Sequence, residues 1–134
     1  MLRADTPTKE VVFPEDTSPG AVHLGVCERS SDDEVLVATS SWVPRPWVGA
    51  PDEPALQLRA MATLVSHQSR GIGAILLEAG VARARADGAA LVWANARDAA
   101  LAFYLRNGFV VSGDGFVDAA TQLPHHQVVH RLQR

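Results

Sequence analysis

The chain is poor in most of the residue types that announce chemistry. Its one cysteine, Cys27, excludes an internal disulfide and any metal site built on several thiolates. It lies in an apolar stretch and reads as buried and inert. There is one lysine, Lys9, and the arginines are scattered among alanines rather than gathered into a stripe. With a net charge of −3 this argues against a nucleic-acid partner. No apolar run approaches the ~20 residues of a membrane span, and Met1 to Glu10 is polar, unlike a secretory signal. A cytoplasmic protein without a membrane partner is the expectation.

What is present suits one domain over residues 1–134, long enough for a real core. Alanine is abundant, as in a bacterial-like, GC-rich coding sequence. Residues 1–20, with Pro7, Pro14, Pro19 and Gly20, read as irregular chain. Ala21 to Cys27 and Glu34 to Trp42 read as a strand hairpin around a polar turn, Arg29 to Asp33. Val43 to Pro54 holds four prolines and reads as a loop, with Trp42 and Trp47 packing it down. Ala55 to Val65 reads as a long strand. From Ile72 to Arg85 apolar residues recur at helical spacing, and Asp87-Gly88 ends the run. Ala89 to Ala94 reads as a buried strand and Asp98 to Arg106 as a helix stopped by Asn107-Gly108. Phe109 to Ser112 follows as a strand, Gly113 to Gly115 as a turn, and Gln127 to Leu132 as the last strand. The order predicts an α+β (mixed α/β) fold around one sheet. His125-His126 read as a solvated turn before the last strand. No third ligand at suitable spacing makes them a metal pair, so no metal is expected.

The junction Gln68-Ser69-Arg70-Gly71-Ile72-Gly73-Ala74 carries the strongest signal. Glycines there let the backbone approach a ligand, and a helix start offers free N–H groups to phosphate. The string resembles the glycine motif of the short-chain dehydrogenases, but His67 stands where that family's first glycine belongs. Some sixty residues precede it, and Gly108 replaces the lysine expected four residues after Tyr104. It also resembles the Gln/Arg-x-x-Gly-x-Gly/Ala motif of the GCN5-related N-acetyltransferases, through Gln68, Gly71 and Gly73. Downstream, Asn95, Ala100, Phe103-Tyr104 and Asn107-Gly108-Phe109 resemble that family's second signature. The likeness covers about residues 55–134.

The resemblance implies a mixed, mostly antiparallel sheet whose long strand splays from its neighbour, with acetyl-CoA entering the gap as cosubstrate. The backbone of Met61, Ala62 and Thr63 would then pair with the pantetheine arm. Gln68, Ser69, Arg70, Gly71, Ile72, Gly73 and Ala74 would hold the pyrophosphate, and Asn95 would help bind the arm, beside the plainer reading of a helix cap. Tyr104 would protonate the leaving thiolate. The acceptor would be an amine, small molecule or peptide, acetylated by direct transfer. The family often places a carboxylate on the strand that here reads Gln57, Leu58, Arg59, Ala60. Asp52, Glu53, His125 and His126 stand as alternative bases. The family's usual front strand and helices are reduced or missing, which suggests a start upstream of Met1 or a homodimer covering an exposed sheet edge. A non-catalytic acyl-CoA sensor or degenerate subunit is the alternative from another class, and a nicotinamide-dependent oxidoreductase a weaker one.

Overall fold

The computed structural model describes residues 8–10, 20–30, 33–63 and 71–132, and statements of absence below refer to these. Seven strands form one sheet: β1 (Thr8–Glu10), β2 (Val22–Ser30), β3 (Asp33–Pro44), β4 (Ala55–Thr63), β5 (Leu91–Arg97), β6 (Val110–Val117) and β7 (Pro124–Arg131). Their order across the sheet is β1-β2-β3-β4-β5-β7-β6. Every neighbouring pair is antiparallel except β4 and β5. Parallel neighbours need a crossover, and helix α1 (Ile72–Ala86) supplies it. A single 3₁₀ turn, Asp98–Ala100, leads into the short helix α2 (Leu101–Arg106).

Alternation along the strands sorts the side chains between two faces. Leu56, Leu58, Val92, Ala94 and Val128 meet Ile72, Leu76, Leu77 and Ala84 of α1 in the main core. On the opposite face Ala55, Leu91, Trp93 and Val129 pack under Trp47. The proline-rich connection is fastened there by polar contacts. Trp93 Nε1 donates to the Arg45 carbonyl at 3.0 Å, and Trp47 Nε1 to Gln127 Oε1 at 3.1 Å. Trp47 thus holds the loop down as expected. Trp42 does something else: it turns to the helix face and joins the main core.

Several boundaries differ from the sequence reading. Thr8–Glu10, expected to be irregular, is a strand paired with Leu24 to Val26; three residues are too few to show a period. β3 runs on through Pro44, which pairs with Leu56 and shortens the loop. Gly113 to Gly115 is no hairpin turn. It is a bulge inside β6, opposite His126, between the pairs Ser112–Gln127 and Phe116–His125. The true turn follows Asp118, whose carboxylate accepts from the N–H groups of Ala120 and Thr121 and from the Thr121 hydroxyl. β7 therefore starts at Pro124, and His125 and His126 belong to a strand rather than a turn. Cys27 is buried, as expected.

Candidate functional site

The sheet branches between β4 and β5. Their pairing runs only from Ala55–Leu91 to Leu58–Ala94. Beyond it each strand keeps its outer neighbour: β4 stays with β3 as far as Thr63–Ala38, and β5 stays with β7 as far as Arg97–His125. The physical device is a bulge. Ser41 pairs with Ala60 and Trp42 with Leu58, so Arg59 is the extra residue, and it lies one step past the last β4–β5 pair. An extra residue bends its strand and increases its twist, which turns the far half of β4 away from β5.

A cavity of about 760 Å³ fills the branch. From the helix face it is lined by Leu58, Ala96, Ala100, Phe103 and Tyr104, and from the other face by Arg45, Gln57, Asn95, Arg97 and His125. Met61 lines it along β4. The gap thus connects one side of the sheet with the other. Along Arg59 to Ala62, β4 has no strand partner on its β5 side, leaving a backbone edge of the kind an extended ligand can pair with.

Helix α1 starts beside the branch. Gly71 caps it at φ 79°, a left-handed conformation that a residue with a Cβ adopts only with strain. No side chain caps this end and no acid stands in the first turn. The amides of Ile72, Gly73 and Ala74 have no acceptor within the helix. Gly73 faces α2: a Cβ there would lie 3.3 Å from Phe103 Cζ. Gln68, Ser69 and Arg70, the other part of the glycine string, lie outside the described residues, as do Leu64 and Val65 at the expected end of β4.

Tyr104 is 8% exposed and wedged edge-on between Phe103 and Phe109, each ring centroid 5.4 Å away. Asn107 closes α2 behind it by donating to the Phe103 carbonyl. Burial pushes the phenol above its ordinary 10.0, so it is protonated at neutral pH. Its hydroxyl has no hydrogen-bond partner among the described residues. Asn95 lies within β5, paired through its backbone with Gln127, and its exposed side chain lines the cavity. It caps no helix; Arg97 occupies the residue before the 3₁₀ turn.

Of the four alternative bases, the cavity takes one. Glu53 pairs with Arg131 at 3.2 Å, on the loop side. Asp52 does not line the cavity, and His126 is bound to Asp98 at 2.6 Å. His125 lines it and is 6% exposed. Its Nδ1 stands 2.9 Å from the Leu123 carbonyl oxygen. A carbonyl can only accept, so Nδ1 carries the proton and Nε2 keeps a lone pair in the neutral ring. The same carbonyl accepts from Asp118 N–H at 3.0 Å, which ties the ring to the turn. Phe116 stacks on the imidazole at 5.8 Å. Asp118 itself is held below the usual carboxylate range, first by the Thr121 backbone N–H and also by the charge of His125.

Gln57 is the polar residue that motif reading passed over. It is 6% exposed on β4, lines the cavity, and its Oε1 has no hydrogen-bond partner. A polar side chain within the otherwise apolar run Ala55 to Leu58 was the available signal. No group of three or more potential metal ligands is found among the described residues, and none of their helices is long and apolar enough to cross a membrane.

The sheet thus splits between two parallel strands, with a helix starting beside the split, an architecture shared with coenzyme A-dependent acyltransferases. Residues 5–109 match the model of the acetyltransferase (GNAT) family. An uncharacterized N-acetyltransferase of Bacillus subtilis, YjcF, is 30% identical over 129 residues, covering 90% of this chain and 85% of the relative. Among solved structures, an IAA acetyltransferase from Bacillus cereus superposes with a TM-score of 0.70 at 12% identity, covering 95% of this chain and 99% of that one. The NatC complex bound to Gag peptide and CoA gives a TM-score of 0.71 at 13% identity, over 83% of this chain and 71% of that one. The chain belongs to the GCN5-related N-acetyltransferase family and is an acetyl-CoA-dependent acyltransferase.

Proposed function

We propose that the chain, acting as one acetyltransferase domain over residues 1–134, moves the acetyl group of acetyl-CoA directly to a primary amine. The single observation that carries this reading is the branch cavity, with Tyr104 reaching it from one face of the sheet and His125 from the other. The cosubstrate supplies an activated thioester. The residues present fit it, because the exposed backbone edge of β4 at Met61 and Ala62 lies along the gap and the uncapped start of α1 lies beside it. Met61, Ala62 and Thr63 would bind the pantetheine arm. Gln68, Ser69, Arg70, Gly71, Ile72, Gly73 and Ala74 would hold the pyrophosphate, and Asn95 would steady the arm from β5.

Both substrates reach the branch at once, from opposite faces, so no acyl-enzyme is needed. His125 Nε2 takes one proton from the acceptor ammonium and releases it to solvent. The freed amine nitrogen bonds the acetyl carbon as the carbon–sulfur bond breaks. Tyr104 gives its phenolic proton to the leaving sulfur and regains one from the new amide nitrogen. The products are an amide, a thiol and one released proton.

Thermal unfolding with acetyl-CoA, coenzyme A and NADPH tests the cofactor side. A ligand at a hundred times its Kd stabilises by ~2.7 kcal/mol, so both coenzyme A compounds should raise Tm clearly and NADPH should not. Free-thiol release across an amine panel then tests turnover. No shift with either coenzyme A compound would defeat the reading.

A further inference from the structure

The cavity lining carries more cations than anions. Arg45, Arg59 and Arg97 belong to it. Among the described residues none of the three forms an ion pair. The one carboxylate in the lining, Asp118, is anchored through Oδ2 by two backbone N–H groups and the Thr121 hydroxyl of its own turn, and its single negative charge faces three guanidinium groups.

These cations are poorly placed for the phosphates of the cosubstrate. Along β5, Val92, Ala94 and Ala96 belong to the core shared with α1, so Trp93, Asn95 and Arg97 stand on the opposite face. Arg45 is tied to that opposite face by the Trp93 indole on its carbonyl. The start of α1, where phosphate would sit, is on the helix face. Arg59 occupies the bulge between the two. Arg45 and Arg97 therefore serve what enters from the acceptor side.

Gln57 is a second, independent pointer on that same face. Its buried, partnerless Oε1 asks for an N–H donor, because an unmade hydrogen bond at a buried acceptor is costly. An acceptor offering an ammonium group to Gln57 and His125, and an anion to the arginines, satisfies all of these groups together.

We propose that the acceptor is a zwitterion, an amine that also bears a carboxylate or a phosphate ester, with its anion held by Arg45 and Arg97. This rests on the acyl-transfer reading above. Arginine pairs well with either anion because its fork of donors meets two oxygens at once. The same field would repel a polyamine.

Calorimetric titration onto the coenzyme A-saturated protein tests this without requiring turnover. Phenylalanine is compared with phenethylamine, and O-phosphoethanolamine with ethanolamine; spermidine is the cationic control. At least one anion-bearing probe should bind at least about tenfold more tightly than its uncharged-tail partner, and the two pairs distinguish carboxylate from phosphate. Arg97→Gln and Arg45→Gln should each bring that ratio toward one while the Tm rise with coenzyme A persists. Equal binding within both pairs, no binding of either anionic probe, tightest binding of spermidine, or a ratio unchanged in both variants would overturn the proposal. Loss of the coenzyme A shift in the wild-type protein would strike the cofactor reading first and this proposal with it.

Discussion

The indole of Trp42 lies directly against Gly80, with no side chain between strand β3 and helix α1. A Cβ at residue 80 would fall inside the ring. The ring has little room to give, because Trp42 is 1% exposed and its Nε1 donates to Ser40 Oγ at 2.9 Å. Alanine in a helix interior ordinarily gains up to ~1 kcal/mol over glycine. Forcing an extra methyl group into a filled core costs about 1–3 kcal/mol. Packing should win here, so Gly80→Ala is expected to destabilise the fold. Urea unfolding should show a lower midpoint at an unchanged m value. A raised midpoint would show that the helix and sheet are less closely seated than the structure has them.

The sequence makes α1 and the first hairpin legible because their signals are local. Apolar spacing marks Ile72 to Arg85, and Asp87-Gly88 punctuates it. The branch itself is not local. It is made by where pairing between Leu58 and Ala94 stops, and only the family resemblance suggested it. Gly113 and Gly115 illustrate the opposite error. Glycines mark a place where the backbone departs from the strand, and a bulge and a turn share that mark. What makes the real turn is the Asp118 side chain, which nothing in a glycine search would find. Moving the turn by a few residues moved His125 from a solvated connection into a strand lining the cavity. Tyr104 was legible because its motif neighbours, Phe103 and Phe109, are the rings that wedge it.

Tyr104→Phe removes one oxygen and leaves the aromatic wedge in place. If the phenol protonates the leaving sulfur, turnover should fall by about 10²-fold, the lower end of what a positioned acid supplies. The affinity for acetyl-CoA should change little, since the ring still packs on Phe103 and Phe109. Steady-state kinetics beside equilibrium binding separates the two effects. Full turnover in the variant would remove Tyr104 as the acid.

The same phenol makes stability sensitive to alkali. Burial raises its pKa in the folded chain above the 10.0 of a free tyrosine. Below pH 10 both states keep the proton and pH has no effect through this group. Above it the unfolded chain releases its proton first, so the folded state loses stability until its own pKa is passed. Wild-type Tm should therefore fall more steeply above pH 10 than that of Tyr104→Phe. Parallel curves would mean that the hydroxyl is better solvated than its burial indicates.

His125→Gln tests the other end of the transfer. The Leu123 carbonyl fixes the proton on Nδ1, so the neutral ring presents Nε2 as a base. Glutamine keeps similar bulk but cannot carry a proton away from an ammonium group. Turnover near neutral pH should drop by about 10²-fold or more. The loss should shrink as pH rises, because solvent then delivers an increasing share of free amine. The coenzyme A thermal shift should persist, since His125 lies on the face away from α1. A long-range ¹⁵N–¹H NMR experiment on the wild-type protein checks the premise directly by reporting the tautomer. If the ring proton is found on Nε2, or if the variant keeps the wild-type rate and pH profile, another base must free the amine.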